Sequence, residues 1–218
     1  MGTPTTPRTP LAVVRDHVAD RSIRDLGLGL FLVALVVSGL FGGWAQARDA
    51  TPGLTVGEPV GTAPVEITVV EAATSMDLGV WGFGPTDGRY VVVVADIRTE
   101  NDTSIPALQL RDIMRLRDLS GIAPVGVSPD RAPEDIPARL VVAADGTPLQ
   151  DLGPGMTYRT WFVWQQQPGA PEPEQITVET YSMTWRRSNV DDTMRWFDPS
   201  VTARGDVPVT MTLTAAAP

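Results

Sequence analysis

Residues 89–104 read RYVVVVADIRTENDTS. Strand side chains alternate between two faces, yet residues 91–94 are all valine and Ile97 follows. Apolar residues on both faces predict a central strand over 89–97, covered on both sides. On either side the pattern is half-apolar. VEITVVEA (65–72) alternates, with Val65, Ile67 and Val69 on one face. MTYRTWFVWQQQ (156–167) follows the turn LGPG at 152–155, and QITVETYSMTWR (175–186) alternates again. VPVTMTL (207–213) closes the set, with Val207, Val209, Met211 and Leu213 facing inward. ARLVVAA (138–144) is a shorter candidate, and ALQLRDIMRLRD (107–118) fits a strand or a short helix equally imperfectly. Beyond residue 60 no long stretch keeps a helical period. Short strands punctuated by Gly and Pro predict an all-β sandwich or barrel, with 65–214 as one domain around a single core.

Ahead of this domain, Leu26 to Ala47 contains no charged residue. As a helix it would reach roughly 33 Å, enough for the hydrocarbon core of a bilayer. It has no polar stripe, as a buried soluble helix would. Arg8, Arg15, Arg21 and Arg24 precede it, so the positive-inside rule places residues 1–25 in the cytoplasm and the C-terminal part outside. A short amphipathic helix is expected over about residues 10–24, where Thr9-Pro10 reads as a cap followed by proline. Ala45-Gln46-Ala47 is a small-residue cleavage pattern, so secretion after Ala47 is the alternative to a retained anchor. The long segment before the apolar run favours the anchor. Residues 48–64, rich in Gly, Pro and Thr, read as a linker off the membrane.

Composition excludes several chemistries. The chain has no cysteine and no lysine, and its single histidine is His17. Disulfides, thiolate metal sites, Schiff-base chemistry and histidine-dependent triads are therefore absent from the part after residue 47. No cofactor is expected. The net charge of −9 argues against nucleic-acid binding, which needs clustered cations. Asp191, Asp192 and Asp198, and likewise Asp130, Glu134 and Asp135, form acidic clusters, but neither has the spacing of a calcium loop and both are interleaved with arginine. They read as solvated charge, and no metal site is expected. The segment 119–137, LSGIAPVGVSPDRAPEDIP, is long for a connection in a compact domain and is a candidate partner-binding excursion or a tolerated insertion.

The tryptophans carry more. Trp161 and Trp164 are three apart, so on a strand they face opposite ways; one is expected in the core and the other at or near the surface. Trp185 and Trp196 flank a polar stretch with Arg186, Arg187 and Arg195 close by. Aromatic residues beside arginine have the composition of binding hot spots, and also suit carbohydrate stacking. Trp185, Arg186, Arg187 and Trp196 are therefore the candidate partner-binding residues, with ordinary core and edge packing as the competing reading.

GEPV at 57–60, RYVVVVADIRTEN at 89–101 and LGPG at 152–155 together resemble the telokin-like, immunoglobulin-like extracytoplasmic domains of Gram-positive bacteria, a family of unknown function. The resemblance spans roughly residues 57–213. It implies an immunoglobulin-like antiparallel β-sandwich, preceded here by a single N-terminal transmembrane helix. With no cysteine the lipid-anchored version is ruled out, and the 119–137 excursion and the Trp-rich end depart from the family pattern. The functional expectation is a non-enzymatic, single-pass module that binds a protein or cell-envelope partner. Its alternatives are an accessory subunit of a transporter or exporter, or a carboxylate-dependent envelope hydrolase. A tryptophan-lined cleft with two carboxylates would mark the hydrolase.

Overall fold

The computed structural model describes residues 51–123, 125 and 135–210, together with Leu28, Phe31, Val33, Ala34 and Val37. The chain divides into two units, Met1–Asp49 and Ala50–Pro218. In the first, the five described positions are helical and exposed. Among the described residues no helix is long and apolar enough to cross a membrane. The anchor expected at 26–47 rests almost wholly on positions outside the described residues, as do the helix at 10–24 and the cleavage pattern at 45–47.

The second unit is mostly β. Its strands are Pro59–Thr62 (β1), Val65–Ser75 (β2), Arg89–Arg98 (β3), Ile105–Pro106 (β4), Met114–Arg117 (β5), Ile122–Ala123 (β6), Arg139–Val142 (β7), Asp151–Leu152 (β8), Thr157–Gln166 (β9), Gln175–Arg187 (β10) and Met194–Thr210 (β11). A single-turn helix, Ala107–Leu110 (α1), precedes β5. The ambiguous 107–118 stretch is thus both things in succession. The ladder runs β5-β10-β11-β2-β3-β9, with β6 and β7 sharing the far edge of β9 and β1 lying on β2. Its two ends pack face to face. Ile67, Val93 and Phe162 from one side share a core with Leu116, Val178 and Val207 from the other, as in a sandwich.

β3 lies between β2 and β9, and residues Val91 to Val94 are buried without exception, as the reading of 89–97 requires. Val91 and Val93 face the inner core, while Val92 and Val94 face a second cluster built on Phe83, Val141 and Trp161. In β2 the inward set begins Val65, Ile67, Val69 and resumes at Ala72. A bulge at Val70 shifts the register between Val69 and Glu71, which exchanges the faces.

Four expectations differ from the structure. Trp164 is 1 % exposed and Trp161 only 7 %; they do face opposite ways, but Leu78, Val80 and Phe83 of the 76–88 segment cover the outer face, so neither reaches the surface. The 48–64 stretch is not wholly a linker, because β1 lies in it and Leu54 is buried. The closing strand starts at Met194 rather than near 207, and Met211 and Leu213 lie outside the described residues. Finally, the ladder is not antiparallel throughout. β11 is long enough to leave β10 and meet β2 in parallel, at Val209↔Ala72 and Thr210↔Ala73.

Candidate functional site

β10 and β11 form a long antiparallel hairpin that places Trp185 opposite Trp196, Arg186 opposite Arg195 and Arg187 opposite Met194. Paired residues share a face and neighbours alternate. The structure therefore brings Trp185, Trp196 and Arg187 to one face and puts Arg186 on the other. The two indoles are tilted at 51° with ring centroids 5.1 Å apart. Trp196 is half-buried against the main core, whereas Trp185 is 49 % exposed.

The arginines and the acidic cluster expected near these tryptophans satisfy one another within the hairpin. Arg186 donates through Nε and Nη2 to both oxygens of Asp198, at 2.6 and 3.2 Å, and its guanidinium lies 4.5 Å from the Phe197 ring centroid. Arg187 approaches Asp192 at 3.9 Å. Arg195 pairs with Asp191. The Asp191 carboxyl is held down at about 2, first by the Ser188 hydroxyl, then by Thr193 and by the charge on Arg195. Among the described residues no group of metal-ligating side chains gathers. Asp135, from the other acidic cluster, bonds Arg115 at 2.9 Å; Asp130 and Glu134 lie outside the described residues.

Trp185 and Trp196 form one wall of a groove of about 420 Å³, completed by residues 101–106 and Gln109. The 99–105 segment is pinned from both ends. Thr99 Oγ1 donates to Pro64 O at 3.2 Å and accepts from Asn101 N at 3.1 Å, and Ile105 of β4 pairs with Leu152 of β8. Asn101 and Gln109 are half-buried. Among the described residues, their side-chain amides and the hydroxyls of Thr103 and Ser104 have no hydrogen-bond partner. Among the described residues, Asp102 is the only charged one on the lining. A second groove, about 320 Å³, shares Asn101 and Trp196 with the first and continues past Pro64, Glu66 and Arg98.

Sequence reasoning passed over Trp81, which is 83 % exposed. It stands with Leu108, Arg111 and Arg139 around another groove of about 410 Å³ that meets the first at Pro106. The signal was present in GVWGFGP (79–85). Two large aromatics in a Gly-rich stretch have no strand alternation to assign them a side, and here Phe83 turns in while Trp81 stays out.

Among the described residues the most buried charge lies elsewhere, on the outer face of β5-β10-β11. Glu179 accepts from Arg117 Nε at 2.7 Å and Tyr181 Oη at 2.5 Å, with Arg204 at 3.6 Å. Burial alone would raise its carboxyl, but the bonds from Tyr181 and Arg117 and the charges of Arg117 and Arg204 outweigh that and hold it below the ordinary value of 4.5. Every member of this network is partnered, which marks it as a structural device.

Fold and site together define a β-sandwich with an aromatic-walled groove at one end. No family model matches the chain, and no curated protein is similar to it. The chain is similar to a solved structure, an uncharacterised β-sandwich protein from Clostridium difficile 630, at 11% identity over 77% of this chain and 98% of that one, with a TM-score of 0.43.

Proposed function

We propose that the protein is a membrane-tethered, extracytoplasmic binding module. In this reading the 26–47 segment anchors an immunoglobulin-like sandwich outside the cytoplasm, and the sandwich captures a protein or cell-envelope partner without chemistry of its own. The observation that carries the reading is the half-exposed Trp185 indole, which stands on Trp196 above a groove whose polar side chains are unpartnered. Large aromatics at the rim of a concave site anchor partners. A hydrolase of the glycosidase kind needs two carboxylates across the scissile bond; among the described residues Asp102 is the one carboxylate lining this groove, and Glu66 and Glu100 line the adjoining one.

Cross-linking capture from cell envelopes with the full-length chain tests the reading. Trp185→Ala is expected to abolish capture while the protein stays folded. Arg186→Ala is expected to leave capture intact, because Arg186 is committed to Asp198 on the opposite face. Capture undiminished by Trp185→Ala overturns this site. Recovery of the full 23.4 kDa chain in carbonate-washed membranes tests the anchor, and a mature N-terminus at Arg48 in the medium overturns it.

A further inference from the structure

We infer that the Trp185–Trp196 groove is a binding site for a neutral glycan. This deepens the reading above, since it names the chemistry of the envelope partner, and it rests on that face being the one that binds.

A pyranose ring presents two kinds of surface. Its axial C–H groups make an apolar face, and its hydroxyls make a polar rim that donates and accepts in the ring plane. A site for it needs an aromatic platform for the first and uncommitted neutral polar groups for the second. The groove offers both. The indole is the aromatic side chain with the strongest negative face, and it draws the slightly positive C–H bonds of a sugar as it does the positive edge of another ring. Across the groove from the indoles stand the amides of Asn101 and Gln109 and the hydroxyls of Thr103 and Ser104. Each amide both donates and accepts. The half-buried amides keep both roles open to the groove, and a polyol is the ligand whose groups match both.

The charge on the lining narrows the class. Among the described residues no cation lines the groove, so acidic polysaccharide, phosphate and teichoic-type polymers have no described partner there. Arg187, on the Trp185 face, lies off the lining and meets Asp192 at 3.9 Å; Arg98, in the adjoining groove, meets Glu100 at 4.0 Å; and Arg186 is bound to Asp198 at 2.6 Å on the opposite face. Asp102 would repel an anionic chain yet accept from sugar hydroxyls. Volumes of about 420 and 320 Å³ lie in the range of ligand clefts. Because Trp196 and Asn101 belong to both grooves, an oligosaccharide has a continuous path past them.

The test titrates the full-length chain with cellohexaose, maltohexaose, laminarihexaose and chitohexaose, and with hexagalacturonate as the anionic comparison, read by intrinsic tryptophan fluorescence and calorimetry. At least one neutral hexasaccharide is expected to bind, with Trp185→Ala weakening it about tenfold or more, the change that about 1.4 kcal/mol of lost stacking produces. The double variant Asn101→Ala/Gln109→Ala should weaken it several-fold with an unchanged melting temperature, and Arg186→Ala should not alter it. Three results overturn the inference: no neutral hexasaccharide binds at concentrations up to about 5 mM, hexagalacturonate binds as tightly as the neutral set, or Trp185→Ala leaves binding unchanged. If Trp185→Ala abolishes envelope capture while no glycan binds, the glycan is wrong and the binding face stands. If neither measurement responds to Trp185→Ala, both readings fall.

Discussion

Trp185 and Trp196 sit directly opposite one another on β10 and β11, with ring centroids 5.1 Å apart, yet they have different work to do. Trp196 packs on the core and supports its neighbour, while Trp185 is 49 % exposed to solvent. Trp185→Ala should therefore cost less than about 1 kcal/mol of stability, near the value of an exposed aromatic pair. Trp196→Ala should cost about 2 kcal/mol, short of a fully buried tryptophan. Urea unfolding of both variants checks the ordering; equal losses would place both indoles in the core.

A different outcome is expected for Trp161 and Trp164. Both are buried, one under the 76–88 segment and one in the main core, where Trp164 Nε1 donates to Ile136 O at 3.0 Å. Each change to alanine should cost about 3–5 kcal/mol. A small loss for Trp161→Ala would mean that the 76–88 segment does not cover β9 in solution.

Acid should act on Glu179. Its carboxyl is held below the ordinary 4.5, so the stability it contributes is fully present above pH 4.5 and is lost as pH falls through the lower folded-state value. Glu179→Gln, which leaves Arg117 and Arg204 without their shared counter-ion, should cost about 1–2 kcal/mol at pH 7, less than a fully buried pair because the arginines reach solvent. The gap to the wild type should close on the acid side of pH 4.5. A gap that stays constant down to pH 2 would show that the charge of Glu179 contributes nothing.

Gly205 tests whether the 51–54 segment belongs to the domain. A Cβ there would lie 2.2 Å from Leu54 O, in a place where Leu54 N donates to Arg204 O at 2.9 Å and Arg204 N donates to Pro52 O at 3.0 Å. The backbone must shift to admit it, so Gly205→Ala should cost about 1–3 kcal/mol and open residues 50–58 to proteolysis. An unchanged melting temperature and unchanged cleavage pattern would show that this segment is a free linker after all.

What the chain announces locally, it announces well. The run Val91–Ala95 marked β3 as central, because only a strand covered on both sides carries apolar residues on both of its faces. The alternation of Val65, Ile67 and Val69 was readable because it depends on one strand alone, and the turn at 152–155 because Pro and Gly fix it locally. The aromatic and arginine clustering at 185–196 was also visible, as was the interleaving of arginine with Asp191, Asp192 and Asp198 that now appears as ion pairs inside one hairpin.

The tertiary structure alone decided the rest, since those features depend on partners distant in the chain. The surface or core fate of Trp161 turns on a segment some 80 residues earlier laying Phe83 across it. The register of β10 on β11, shifted at Thr180/Tyr181 and Ser182/Thr184, puts Trp196 opposite Trp185 and so on the face away from Arg186. β11 runs unbroken through Asp198-Pro199 and Gly205, residue types that disfavour strands; pairing with β10, with Asp198 at φ 55°, carries the strand through them. The groove itself joins Asn101 and Gln109 to Trp185 and Trp196 across some 80 positions of chain. No periodicity spans such a distance, because it is the packing of two sheet ends, and not any local propensity, that brings those side chains together.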